Sequence, residues 1–118
     1  MRCTTRAVLL TAALILLGRT PANASGSYQY VSGYTCDPAH GQPYCGATAS
    51  GVQVGPGAAA CPPGLPFGTP IVVHFPAELG GDAAFVCWDR GPGDHWDLWW
   101  PTIADCYAHT GWYSVDVG

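Results

Sequence analysis

The segment Tyr28-Gln29-Tyr30-Val31-Ser32-Gly33-Tyr34 alternates aromatic with small or polar residues, the period of a strand with two unlike faces. The stretch from Asp37 to Tyr44 carries Pro38, Gly41 and Pro43 and reads as a loop. Thr48-Ala49-Ser50-Gly51-Val52 predicts a short strand running into a glycine turn. Gly55-Pro56-Gly57 and Cys61-Pro62-Pro63-Gly64 punctuate the next stretch. Pro70-Ile71-Val72-Val73-His74-Phe75 is the clearest strand, and Glu78 to Asp82 reads as a hairpin connection to its partner, Ala83 to Trp88. Gly91-Pro92-Gly93 forces a turn, after which Asp97 opens the apolar run Leu98-Trp99-Trp100. Pro101 to Ala108 predicts the one helix, with Pro101 in its first turn, Ile103, Cys106 and Tyr107 on one face, and Gly111 as its stop. Trp112 to Val117 alternates again and predicts a closing strand. Many short strands, dense Gly and Pro and a single short helix imply a small β-barrel.

The start of the chain has a different character. Arg2 and Arg6 precede the apolar run Ala7 to Leu17, and Ala22-Asn23-Ala24 supplies a small-residue cleavage pattern. The run is short for a bilayer span, so residues 1–24 are expected to be a secretory signal peptide and residues 25–118 one small domain. The expected location is therefore extracellular or wall-associated, or periplasmic in a host with an outer membrane. Cleavage removes Arg2, Arg6 and Arg19 and leaves Arg90 as the only Lys or Arg against eight carboxylates. A surface so acidic excludes nucleic acid as a partner and disfavours anionic lipid, but leaves a neutral polymer such as a glycan open. A monomer is expected.

Export makes disulfides the default for a small domain. Of the five cysteines after residue 24, Cys36 and Cys45 are the favoured pair, Cys61 and Cys87 the second, and one thiol is left over. His40, His74, His95 and His109 are scattered and no Cys-x-x-Cys pair occurs, so neither a metal site nor a cofactor is expected.

The chemistry concentrates in Cys87-Trp88-Asp89-Arg90-Gly91-Pro92-Gly93-Asp94-His95-Trp96-Asp97-Leu98. Asp89 ends one apolar run and Asp97 opens the next, so a tight loop would bring two acids together. Asp is also a common turn residue, and the plain reading of all three aspartates is turn formation. Trp88, Trp96, Trp99, Trp100 and Trp112 are many for so short a chain. Indole faces suit sugar rings, and small barrels also fill their cores with aromatics. One or two of the five are expected to be exposed, Trp96 and Trp99 or Trp100 first. Neighbouring residues on a strand point to opposite faces, so Trp99 and Trp100 cannot share one side.

Four segments occur in an order that resembles a known family. They are Thr48-Ala49-Ser50-Gly51; Ala59-Ala60-Cys61-Pro62 through Leu65-Pro66-Phe67-Gly68-Thr69; Trp88-Asp89-Arg90-Gly91-Pro92 with Asp97-Leu98; and the helix ending at Gly111 before Val115-Asp116-Val117. Together they resemble the 3D domain and the rare-lipoprotein-A-like proteins, whose barrel is shared by expansins, family-45 endoglucanases and the catalytic part of membrane-bound lytic transglycosylase A. The resemblance implies a mainly β fold, a small six-stranded double-psi β-barrel with one short helix. Of the three aspartates of the 3D pattern, the second falls on Asp89 and the third on Asp97, while Cys61 stands where the first is expected. The glutamate and histidine of the rare-lipoprotein-A-like pattern are replaced by Val52 and Cys61-Pro62. His95-Trp96-Asp97-Leu98 is similar to the His-Phe-Asp-Leu motif of expansins, which loosen walls without hydrolysis.

The resemblance implies a cell-wall polysaccharide, peptidoglycan first, as the partner. Asp97 and Asp89 are the catalytic candidates; Thr48, Ser50, Arg90, His95, Trp96 and Trp99 are the substrate-binding candidates. Hydrolysis needs two carboxyl groups. Lytic cleavage of peptidoglycan needs only one, because the sugar's own 6-hydroxyl attacks and a single acid can give and then take the proton. The expected function is a secreted, lytic-transglycosylase-like enzyme using Asp97, with a non-catalytic, expansin-like wall-binding module as the alternative.

Overall fold

The computed structural model describes residues 2–3, 27–37, 45–91 and 93–118. The apolar run 7–17, the expected cleavage point after Ala24 and the loop 38–44 with His40 lie outside the described residues. Among the described residues, seven strands and one α-helix occur in the order β1 (Arg2–Cys3), β2 (Ser27–Thr35), β3 (Ala58–Cys61), β4 (Pro70–His74), β5 (Asp82–Arg90), β6 (Trp96–Trp100), α1 (Ile103–Ala108) and β7 (Gly111–Val117), with a 3-10 turn at Ala77–Leu79 between β4 and β5. The strand order is β1-β2-β6-β3-β5-β4-β7, and β7 pairs back onto β2. Strands β2 to β7 therefore close into a six-stranded barrel, with β1 added at the edge of β2. This is the small, disulfide-stapled, mainly β barrel with one short helix that the sequence led us to expect.

Alternation within the strands separates two apolar clusters. The interior holds Val31, Ala59, Cys61, Ile71, Val73, Phe85, Cys87, Trp96, Leu98 and Val115, drawn from all six strands, capped by Phe75. The outer wall carries a second cluster of Tyr34, Ala58, Ala60 and Trp99, with Cys36, Val54 and Trp88 packed against it. Closing the sheet on itself leaves no open edge between β7 and β2.

Several local expectations are corrected. Residues Thr48 to Val52 form a turn, bounded by an isolated bridge between Ala47 and Gln53, because Gly51 takes a left-handed φ of 92° that breaks the extended chain. β3 is a strand that no local pattern announces, since alanine has little strand preference. It is a strand through its partners: it pairs parallel with β5 and antiparallel with β6, and all four of its side chains are buried. Consequently β5 and β6 do not form a hairpin around Gly91-Pro92-Gly93. Asp97 lies inside β6 rather than before it.

The helix starts at Ile103, with Thr102 as its cap and Pro101 outside its first turn. Ile103 and Cys106 are buried, but Tyr107 is 48% exposed, so the buried face is narrower than its spacing suggested. Cys36–Cys45 and Cys61–Cys87 are both bridged as expected. In the full chain no thiol is left over, because Cys106 is bridged to Cys3. Opposite Cys3 on β2, a Cβ on Gly33 would lie 2.7 Å from the Leu98 carbonyl oxygen and 2.9 Å from Cys106 Sγ, so only glycine lets the helix and β6 approach this closely.

Candidate functional site

The two aspartates are brought together by strand pairing across β3. Ala60 lies opposite Asp97 on β6 and opposite Asp89 on β5. Asp97, Ala60 and Asp89 thus form one row across three strands on the outer wall, with the two Cα atoms about 10 Å apart from twice the inter-strand spacing. The bulge on β5 at Trp88 makes this possible, since Ala59 pairs with Cys87 and Ala60 with Asp89, skipping one residue. Gly91 is required at the end of the row. A Cβ there would sit 2.8 Å from the Ala60 carbonyl oxygen.

Asp97 is fully buried. It pairs in parallel register with Ser32 on β2, whose hydroxyl, itself buried, donates to Asp97 Oδ1. His95 Nε2 stands 3.4 Å from the same oxygen, and His95 Nδ1 is 2.8 Å from Oδ1 of the exposed Asp94. The His95 side chain is 18% exposed and lies between a sealed carboxylate and a surface one. Its ring also meets Tyr30 edge-on, with centroids 5.2 Å apart.

Asp89 has different surroundings. Its Oδ1 accepts from the backbone N–H of Ala49 at 2.9 Å and of Arg90 at 3.0 Å, and its Oδ2 lies 3.5 Å from the Tyr34 hydroxyl. With Tyr34, Gly46, Ala47 and Val54 it lines a small cleft of about 70 Å³. The loop over this cleft is fastened by its own hydroxyls. Thr48 Oγ1 donates to the Val52 carbonyl at 2.8 Å and lies 2.9 Å from Ser50 Oγ, and the Ser50 N–H donates to the Trp88 carbonyl at 3.0 Å. Thr48 and Ser50 spend these hydroxyl bonds within the loop that delivers the Ala49 N–H to Asp89.

The remaining candidates sit elsewhere. The Arg90 guanidinium lies over the Phe67 ring, 4.0 Å from its centroid, and Arg90 Nη1 is buried without a hydrogen-bond partner. Trp96 is 3% exposed, packs in the barrel interior and donates its indole N–H to Gln29 at 3.1 Å. Trp99 is buried in the outer-wall cluster, and Trp88, Trp100 and Trp112 are half-buried. None of the five tryptophans is exposed. The exposure expected of Trp96 and of Trp99 or Trp100 is therefore not found. Trp99 and Trp100 do point to opposite faces, as strand geometry requires.

Sequence reading missed Ser32 and Tyr34 as neighbours of the acids. Their signal was a polar and an aromatic residue two apart in the β2 alternation. It became meaningful only once β2 was known to run parallel to β6. Among the described residues no cluster of three His, Cys, Asp or Glu side chains could hold a metal ion. In comparison with known proteins, no family model and no curated protein matches this chain, so its family resemblance rests on the ordered motifs alone.

Proposed function

We propose that the chain is an exported wall-active barrel that engages a cell-wall polysaccharide, peptidoglycan first, through the outer face carrying Asp89, Tyr34 and the Asp97 row. The reading supported best is non-catalytic binding of expansin type. One observation carries it: the two carboxylates are unequal in their access to the surface. Asp89 borders the cleft, whereas Asp97 is sealed behind Ser32 and His95. Asp89 Oδ1 is committed to two backbone N–H groups, which suits a fixed acceptor for a sugar hydroxyl.

A lytic-transglycosylase-like enzyme is the second reading, favoured by the Asp97–His95–Asp94 series. A buried carboxylate contributes little to a small barrel unless it has a task, and this one connects to the surface through an imidazole. Movement of the His95 side chain would present Asp97 to a glycosidic oxygen. It would then donate its proton there and recover one from the attacking 6-hydroxyl.

The test incubates the purified protein with insoluble peptidoglycan and measures both retention on the pellet and soluble products by mass spectrometry, beside Asp89→Ala and Asp97→Asn. Retention without products, weakened by Asp89→Ala, is the expected result. Anhydro-sugar products abolished by Asp97→Asn would establish the lytic enzyme instead. Neither retention nor products from a folded protein would overturn both readings.

A further inference from the structure

His74 ends β4 on the seam where the barrel closes onto its last strand. Its Nδ1 lies 2.8 Å from Asp82 Oδ1 on β5, and its Nε2 lies 2.9 Å from Asp116 Oδ2 on β7. A neutral imidazole has one N–H. Between two carboxylates it would turn a bare ring nitrogen towards carboxylate lone pairs. Only the imidazolium donates to both.

We infer that His74 is a proton-operated latch that ties β5, β4 and β7 together and frees the end of β7 when it deprotonates. Among the described residues, the titratable groups facing it are Asp82 from β5 and Asp116 from β7; Ser114, opposite it in register on β7, does not titrate in this range. Asp116 and then Asp82, through their hydrogen bonds, raise the imidazole above its ordinary range, against a smaller opposing effect of burial. Asp116 is the more enclosed partner, with its side chain 30% exposed against 65% for Asp82, so water screens it less and its half of the latch is the stronger.

Because the folded value is raised, the contribution is fully present below the unfolded imidazole value of about 6.5 and is lost as pH rises through the higher folded value. β7 also pairs along β2, the strand that carries Ser32 and Tyr34, so loosening β7 reaches the strand beneath the outer-wall site. The latch itself does not depend on what that site binds.

The test uses the purified chain from pH 5 to 8.5, with imidazole ¹⁵N NMR and native-state hydrogen exchange of the β7 amides Val115 to Val117. Below pH 6.5 both His74 ring nitrogens should be protonated. As the ring titrates, β7 protection, corrected for intrinsic exchange, should fall about tenfold for every pH step between the ordinary and the raised value. Asp116→Asn should move the titration down towards the ordinary value and flatten this dependence, and His74→Gln should abolish it. A ring already neutral at pH 6, or β7 protection indifferent to the titration in the unsubstituted chain, would overturn the proposal. The Asp116→Asn variant keeps the test decisive should His74→Gln fail to fold.

Discussion

Ser32 and Gly91 are small residues on which the outer wall depends. Ser32 gives the buried Asp97 carboxylate a hydroxyl donor, and both side chains are shielded from water. Ser32→Ala removes that donor from a buried acceptor, so urea unfolding should show a loss of about 1–3 kcal/mol. Gly91→Ala would place a methyl group against the β3 backbone at Ala60, which cannot swing aside. A loss of about 1–3 kcal/mol is expected there, from overpacking. Gly93→Ala is the matched control, since nothing lies within 4 Å of its added Cβ, and it should leave the unfolding midpoint almost unchanged. Neither Ser32 nor Gly91 stands out by composition. Each matters because a partner distant in sequence is pressed against it.

Among the elements, α1 and β3 show opposite relations between sequence and structure. α1 is only six residues long and depends on its ends and its buried face. Thr102 caps it by accepting a hydrogen bond from the Asp105 N–H at 3.0 Å, and the Ile103 N–H donates to Asp37 Oδ2 at 3.1 Å. Thr102→Ala should cost about 1 kcal/mol, read as a lowered thermal midpoint. Tyr107→Ala should cost far less, because its ring is largely in solvent. The existence of α1 could be anticipated from its flanking Pro and Gly, though its first residue and the width of its buried face could not. β3 inverts the case. Ala58-Ala59-Ala60-Cys61 has no strand signature, yet it is buried on both faces. Its small side chains are what allow Asp97 and Asp89 to stand on either side of it.

For the whole molecule, stability rests on a barrel core supplemented by cross-links. The Cys61–Cys87 bridge joins β3 to β5 through the interior over a separation of 26 residues. Cys36–Cys45 spans 9 residues at the surface end of β2. Loop-closure entropy assigns about 3.5 kcal/mol to the former and about 2.6 kcal/mol to the latter. The double substitution Cys61→Ala with Cys87→Ala should therefore lower the denaturation midpoint more than Cys36→Ala with Cys45→Ala, with loss of core volume adding to the difference. The opposite order would show that the exposed loop, rather than the interior, limits unfolding.

The sequence by itself determined the class of fold. Period-two alternation marked β2 and β7, a β-branched apolar run marked β4, Gly and Pro marked the turns, and a flanked short run marked the helix, because each of these signals acts within a few residues. It also favoured Cys36–Cys45, offered Cys61–Cys87 as the second pair without deciding it, and marked the stretch 87–98 where the acids gather. Only the tertiary structure decided that β3 lies between β5 and β6, that Ser32 faces Asp97, that Thr48 and Ser50 serve their own loop, and that Trp96 points inward. Those facts depend on which strands pair and in what register. A shift of one residue turns every side chain to the other face, and no local pattern records the partner.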